Sequence, residues 1–254
     1  DNYKLKMDKK WNIQGYMSYK FAKHFTARVD LGYQSRHIAT DRYYGPTTYF
    51  ARNTGRPGIE GGTAQLQVTD EYSTVLTNHN TLEWKQTFEN DHNVSVLVGE
   101  ETVIRKGETK NQYGFGYKGS YDVLNGEIFN YLGQAAYSEF TNYVDPRDNQ
   151  LSFLARANYD YKGRYYITAT FRADCSTRFA EGNQWGYFPS GALAWRMSDE
   201  EWMQGASSWL SNMKFRLSLG MAGNNNVDLG YLHPDFLSQS MTYFDMGKGT
   251  SNIL

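Results

Sequence analysis

The chain has 254 residues, a formal net charge of −1, 40% hydrophobic and 16% aromatic residues, and 21 tyrosines. That length can bury a substantial core as one all-β domain, and the near-zero charge gives no reason to expect nucleic acid or an anionic surface as a partner. No apolar run reaches the roughly 18 residues of a transmembrane helix, and a mean hydropathy of −0.69 still fits a membrane barrel, in which only alternate residues meet lipid.

In chain order, no leader-like segment comes first. Trp11, Ile13, Met17, Tyr19 and Phe21 alternate with Asn12, Gln14, Ser18 and Lys20, which predicts a first strand with one apolar face. A short Ala22-Lys23-His24 connection leads to a second strand, Phe25 to Tyr33. A polar stretch rich in Gly, Thr and Tyr, from about Ser35 to Glu71, reads as a long loop. Leu82, Trp84 and Phe88 lie on one face of a third strand, and the Glu89-Asn90-Asp91-His92 turn returns it as Asn93 to Glu101. A second long segment spans Lys106 to Asp148. The central hairpin follows, with Leu151, Phe153, Ala155, Ala157, Tyr159 and Tyr161 on one face of its first arm. After Lys162-Gly163, Tyr165, Ile167, Ala169, Phe171 and Ala173 continue that face on the second arm. Each arm runs to about 11 residues, near the 9–11 that cross a bilayer at a tilt.

Trp185 to Arg196 forms a seventh strand, and Ser198-Asp199-Glu200-Glu201 has capping-box spacing for a short helix. Met213, Phe215, Leu217, Leu219 and Met221 mark an eighth strand, after which the sequence reads as loop to Leu254. No linker divides the chain, so residues 1–254 read as one domain segment. Tight turns at Ala22, Glu89 and Lys162 alternate with long connections, as in outer-membrane barrels with short periplasmic turns and longer extracellular loops. Aromatic residues gather beside each tight turn: Tyr19, Phe21 and Phe25; Trp84 and Phe88; Tyr159, Tyr161, Tyr165 and Tyr166. Tyr and Trp favour a membrane–water boundary. Alternation alone also fits a soluble sandwich, and a soluble carbohydrate-binding β-sandwich or small barrel stays open as the alternative.

Arg172-Ala173-Asp174-Cys175-Ser176-Thr177-Arg178-Phe179, Asn183-Gln184-Trp185-Gly186-Tyr187-Phe188-Pro189-Ser190 and Ala194-Trp195-Arg196 resemble the barrel of SusC/RagA-type TonB-dependent transporters. Trp209 to Lys214 and Gly223-Asn224 extend the match, which covers about Tyr72 to Asn226. Cys175 replaces a glycine of that pattern. A positive φ there would cost on the order of 1 kcal/mol. The resemblance implies an all-β, antiparallel up-and-down transmembrane barrel. Eight strands are visible here, whereas such a plugged barrel has about 22, so the plug and the TonB-contacting segment are expected outside these residues. It further implies the outer membrane of a Gram-negative cell and TonB-energised import of oligosaccharides or peptides. A SusD-like surface lipoprotein would be the partner, with no cofactor and no enzymatic chemistry.

Tyr43, Tyr44, Tyr49, Tyr113 and Tyr117 offer rings and hydroxyls for stacking on sugars or gripping peptides, and are the candidate substrate-binding residues. Arg28, Lys85, Arg156, Arg172, Lys214 and Arg216 fall on polar strand faces. Of these, Arg156, Arg172, Lys214 and Arg216 are the candidate lumen-facing residues, with too few carboxylates beside them. Gly114, Gly116 and Gly119 spell G-x-G-x-x-G without the flanking strand and helix that a phosphate cradle needs. His24, His37, His79, His92 and His233 are too scattered for a metal site, and Cys175 has no histidine near it in sequence. Glu100 and Glu101 point to opposite strand faces, which favours a solvated or lumen-facing charge over a paired-carboxylate hydrolase.

Overall fold

The computed structural model describes residues 2–117, 127–206, 208–225, 242–245 and 250–253. Four long strands come first: β1 (Asn2–Phe21), β2 (Phe25–Tyr44), β3 (Ala64–Phe88) and β4 (His92–Tyr117). Then come β5 (Tyr137–Val144), β6 (Asp148–Tyr161), β7 (Tyr165–Ser176), β8 (Trp185–Arg196) and β9 (Lys214–Gly220). They form one antiparallel 9-stranded sheet in the order β1-β2-β3-β4-β6-β7-β8-β9, with β5 beside β4. The eight expected strands are the eight of that path. The extra strand, β5, pairs with Glu108–Phe115 of β4, while β6 pairs with His92–Arg105 of the same strand. β5 and β6 are thus one line interrupted at Asp145, Pro146 and Arg147. The Asp145 amide still donates to the Gly107 carbonyl at 2.9 Å.

A single open sheet replaces the sandwich or small closed barrel of the alternative reading. Its accessible surface is 18002 Å², against about 11,500 Å² for a compact monomer of this mass. Among the described residues, neither face of the sheet has the cover that a folded domain supplies, apart from a small core at Ala64, Leu66 and Tyr117. One face carries register-aligned apolar rows, such as Tyr19, Ala27, Leu82, Val98, Ala155, Phe171 and Pro189. Leu217 on β9 pairs with Leu193 on that face and is 52% exposed.

The three tight turns share one construction, three residues whose first two include a left-handed pair. Ala22 and Lys23 have φ of 46° and 58°, Glu89 and Asn90 of 51° and 64°, and Lys162 and Gly163 of 54° and 64°. Each turn is tied to the next hairpin: the Lys85 amide donates to His24 O, Lys162 to Asp91 O and Arg196 to Arg164 O, at 2.7–2.9 Å. An aromatic line follows the apolar face at this end. His92 and Tyr161 lie 4.7 Å apart, Tyr161 and Tyr165 6.3 Å, Tyr165 and Trp195 6.4 Å, and Trp195 and Trp202 6.4 Å.

Several boundaries differ from the sequence reading. The two stretches read as long loops are in good part strand, because β2 runs on to Tyr44, β3 begins at Ala64, β4 ends at Tyr117 and β5 lies within the second. In these extensions the alternation of apolar and polar residues fades while the backbone ladder continues. Cys175 lies extended in β7 and is not among the positive-φ residues, so its Cβ costs no strain. In place of a capped helix, the β8–β9 connection has two 3-10 segments, Met197–Asp199 and Glu201–Ala206. Ser198 Oγ there donates to Asp199 Oδ1 rather than capping. Beyond Ala222, β10 (Thr242–Asp245) and β11 (Thr250–Ile253) form a separate two-stranded hairpin where loop was expected. Gly119 and His233 lie outside the described residues.

Candidate functional site

The face opposite the apolar rows is where charge collects. Residues paired across an antiparallel ladder share a face, and one such row reads Ser18, Arg28, Thr81, Gly99, Leu154, Arg172 and Phe188. The next reads Tyr16, Asp30, His79, Glu101, Ser152, Asp174 and Gly186. Together they make an ion-pair belt from β2 to β7. Arg28 Nη2 lies 2.6 Å from Asp30, and Arg172 reaches Asp174 at 2.7 Å, Glu101 at 3.1 Å and Ser152 at 3.0 Å. Toward the long-loop end, Arg178 holds Asp148 with two bonds of 3.0 and 2.7 Å, and Arg105 approaches the same carboxylate at 3.6 Å. The Arg172 and Arg178 of the family-like stretch are therefore spent on fixing β7 and its outgoing turn to β4 and β6.

The expectation of too few carboxylates needs correcting strand by strand. Arg28 has Asp30, Lys85 has Glu83 at 2.8 Å, and Arg172 has two partners. Arg156, Lys214 and Arg216 share the polar face with them by register, and none has a carboxylate partner among the described residues. Arg156 Nε donates to Thr170 Oγ1 at 3.3 Å. The ammonium of Lys214 lies 3.8 Å from the centre of the Tyr166 ring.

The five candidate tyrosines do not converge. Tyr117 is 3% exposed, packs with Ala64 and Leu66, and donates its hydroxyl to Leu132 O at 2.9 Å. Tyr43 packs against that same small core, beneath the 3-10 segment Glu127–Gln134. A bulge at Ala64/Gln65, opposite Gly116 with φ of 80°, brings Tyr117 to that side. Tyr44 and Tyr113 lie on the other face with Gln65, Gln67 and Phe115. Tyr44 rests 5.0 Å from Phe50, and Tyr49, 74% exposed, meets Phe50 edge-on at 5.8 Å. Tyr113 stacks on Phe115 at 6.3 Å, with the Arg56 guanidinium 5.0 Å over the Phe115 ring. Phe115 is itself buried, so Tyr49 and Phe50 on the loop after β2, with the half-buried Tyr44 and Tyr113, make the open aromatic surface.

Two features escaped the sequence reading. Glu200 accepts from Trp195 Nε1 at 2.8 Å, from Arg164 at 3.0 Å and from the Tyr165 hydroxyl, fastening the β8–β9 connection to two strands. These donors, Tyr165 first, hold its carboxyl below the usual range. Glu100 lies on the apolar face, in register with Val29, Asn80, Phe153 and Tyr187. Asn80 donates to it at 2.9 Å, as does Thr102, so its charge is met locally. Parity from Val94, Val96 and Val98 would have placed it there. Among the described residues no cluster of His, Cys, Asp and Glu could hold a metal ion.

No family profile matches the chain. It is 28% identical over 245 residues to the TonB-dependent receptor P39 of Formosa agariphila, covering 93% of this chain and 22% of that protein. It is 40% identical over 88 residues to the TonB-dependent receptor SusC of Bacteroides thetaiotaomicron, covering 34% of this chain and 9% of SusC. In structure it is similar to the RagAB peptide transporter, with a TM-score of 0.75 and 21% identity over 89% of this chain and 24% of the matched chain. The chain thus spans less than a quarter of the length of these proteins. All are receptors or transporters, not enzymes. The resemblance carried by the Arg172–Phe179 and Trp185–Ser190 motifs is borne out: the chain is similar in sequence to TonB-dependent receptors including SusC and in fold to the RagAB transporter, and its open all-β, antiparallel sheet matches part of such a barrel wall.

Proposed function

We propose that this chain forms part of the wall of a TonB-dependent outer-membrane transporter that imports oligosaccharides or peptides. A SusD-like lipoprotein would cover its extracellular mouth. The observation that carries the reading is the two-sided sheet: uncovered apolar rows on one face, an ion-paired belt on the other. A wall between lipid and a filled lumen needs that division, and alternation along each strand supplies it. The tight turns at Ala22, Glu89 and Lys162 then belong to the periplasm, and the long connections to the outside. Arg156, Arg172, Lys214 and Arg216 face the lumen. Coupling to the TonB complex and the plug reside in parts of the protein outside this chain.

Tyr44, Tyr49 and Tyr113, with Phe50, are the rings best placed to meet substrate, since stacking uses the ring faces and leaves the hydroxyls to bond. Tyr43 and Tyr117 support them by packing. The test is uptake by a strain lacking the gene, complemented with the full-length wild type or with a Tyr44→Ala/Tyr113→Ala variant. Labelled oligosaccharide and labelled peptide pools are offered in turn. The expected result is restored, TonB-dependent uptake of one pool by the wild type and weaker uptake by the variant. Equal uptake of both pools with and without the gene would contradict the proposal.

A further inference from the structure

On the polar face, under the β7–β8 connection, the chain folds around a pocket of about 360 Å³. Its walls come from β6, β7 and β8, from the connection itself and from residues 223–225 after β9. The Phe188 ring forms one wall and lies so close over Gly186 and Gly223 that a Cβ on either would collide with it. The hydrogen bonds that hold the other walls leave acceptors over. Asp174 accepts Arg172 Nε on Oδ1 at 2.7 Å, Gln184 Nε2 donates to Phe179 O at 3.3 Å, and Asn225 Nδ2 donates to Gln150 Oε1 at 3.4 Å. Asp174 Oδ2, Gln184 Oε1 and Asn225 Oδ1 have no donor among the described residues, and the Asn183 side-chain amide has no partner there.

We propose that this pocket seats one neutral sugar ring of an oligosaccharide, an inference that rests on the transporter reading above and chooses between its two substrate classes. A sugar ring carries a hydroxyl, and so a donor, on most of its carbons, and it offers a face of C–H bonds to an aromatic ring. Converging acceptors beside Phe188 fit both features. An extended peptide brings one backbone N–H per residue and would leave most of these oxygens unmet, at a cost. An acidic ligand would meet the Asp174 carboxylate, while the neighbouring guanidiniums of Arg172 and Arg178 are already held by Glu101 and Asp148. The volume is at the low end of the roughly 300–1,000 Å³ of ligand pockets, room for one ring rather than a length of chain.

The test is equilibrium dialysis of the purified full-length transporter against a pool of neutral, labelled oligosaccharides and, separately, a pool of uncharged peptides of matched mass. Asn183→Ala removes an amide that holds nothing else among the described residues. Asp174→Asn/Asn183→Ala also removes the charged acceptor, and heat-modifiable migration reports the barrel in each variant. The expected result is retention of oligosaccharides by the wild type, weakened by the single change and by about tenfold or more in the double variant, as loss of bonds to a charged group implies. Peptide retention should not move. Unchanged oligosaccharide retention in the double variant with an intact barrel would overturn the proposal, as would unchanged retention in the single variant should the double fail to assemble. Retention of peptides alone by the wild type would overturn it too. Uptake by cells is scored apart: a wild type that retains oligosaccharides yet restores uptake of neither pool would contradict the transporter reading while supporting the pocket's ligand.

Discussion

The part of the sheet near the tight turns and the extension of β2, β3 and β4 toward the long connections share one ladder but follow different rules. Near the turns, each strand alternates between an apolar row and a charged row, so each side chain is chosen by the medium on its side. In the extension, Asp70, Lys110 and Gln112 occupy the face that Leu82 and Val98 occupy lower down. Apolar burial there comes from a local core of Ala64, Leu66 and Tyr117 under Leu132 and Phe129. The difference teaches that the ladder fixes the backbone independently of the pattern of residues. On the transporter reading, the surrounding medium sets that pattern, and where water reaches both faces the pattern dissolves and the strand does not.

The largest expected effect breaks the extension alone. Tyr117→Ala removes a buried ring and its bond to Leu132 O, a loss of about 3–5 kcal/mol by analogy with other buried aromatics. Hydrogen exchange should quicken in Ala64–Thr69 and Leu132–Ala135 and stay unchanged at Tyr161–Tyr165. Next, a charge placed on the apolar face separates the two regions. Phe171→Asp near the middle of the lower rows should cost less than the about 2–4 kcal/mol of a midplane Lys or Arg and still reduce assembly of the full-length barrel. Phe140→Asp on β5, 64% exposed in the extension, should leave heat-modifiable migration unchanged.

A smaller effect of opposite sign is expected at the first turn. Ala22 holds φ of 46°, a conformation that costs a residue with a Cβ roughly 1–2 kcal/mol. Ala22→Gly should raise stability by somewhat less than that, since glycine also loses more chain entropy, and denaturant midpoints would register it. The smallest effect is confined to acid. Glu200 has its carboxyl held down by Tyr165, Trp195 and Arg164, so its contribution is whole above the ordinary glutamate value of about 4.3. That contribution is lost as pH falls through the lower folded value. Trp195 and Trp202 fluorescence should therefore change below pH of about 4 in the wild type and not in Glu200→Gln.

Legibility followed the same divide. Strand existence, the eight-strand count and the sharing of one face by Arg28, Lys85, Arg156, Arg172, Lys214 and Arg216 were readable, because alternation is strongest near the tight turns. The continuation of β2 through Ile38–Tyr44 and of β4 through Glu108–Tyr117 was not, since neither run keeps an apolar face throughout. The partners of Arg28 and Lys85 lie two residues away on the same strand, Asp30 and Glu83, and were visible in principle. Those of Arg172 and Arg178 needed the register, because Glu101 and Asp148 come from other strands. The tyrosines misled for a physical reason. A ring near a loop serves equally to stack on a ligand or to fill a small core, and only the bulge at Gly116 decides for Tyr117.

The central claim is that one face of this sheet meets lipid and the other a lumen. Nitroxide labels at Leu217 and Arg216 of the full-length protein in bilayers, compared for collision with oxygen and with a water-soluble nickel complex, test it most directly. The account predicts an excess of oxygen over nickel collisions at Leu217 and none at Arg216. Nickel-accessible, oxygen-poor behaviour at Leu217, with the reverse at Arg216, would contradict it.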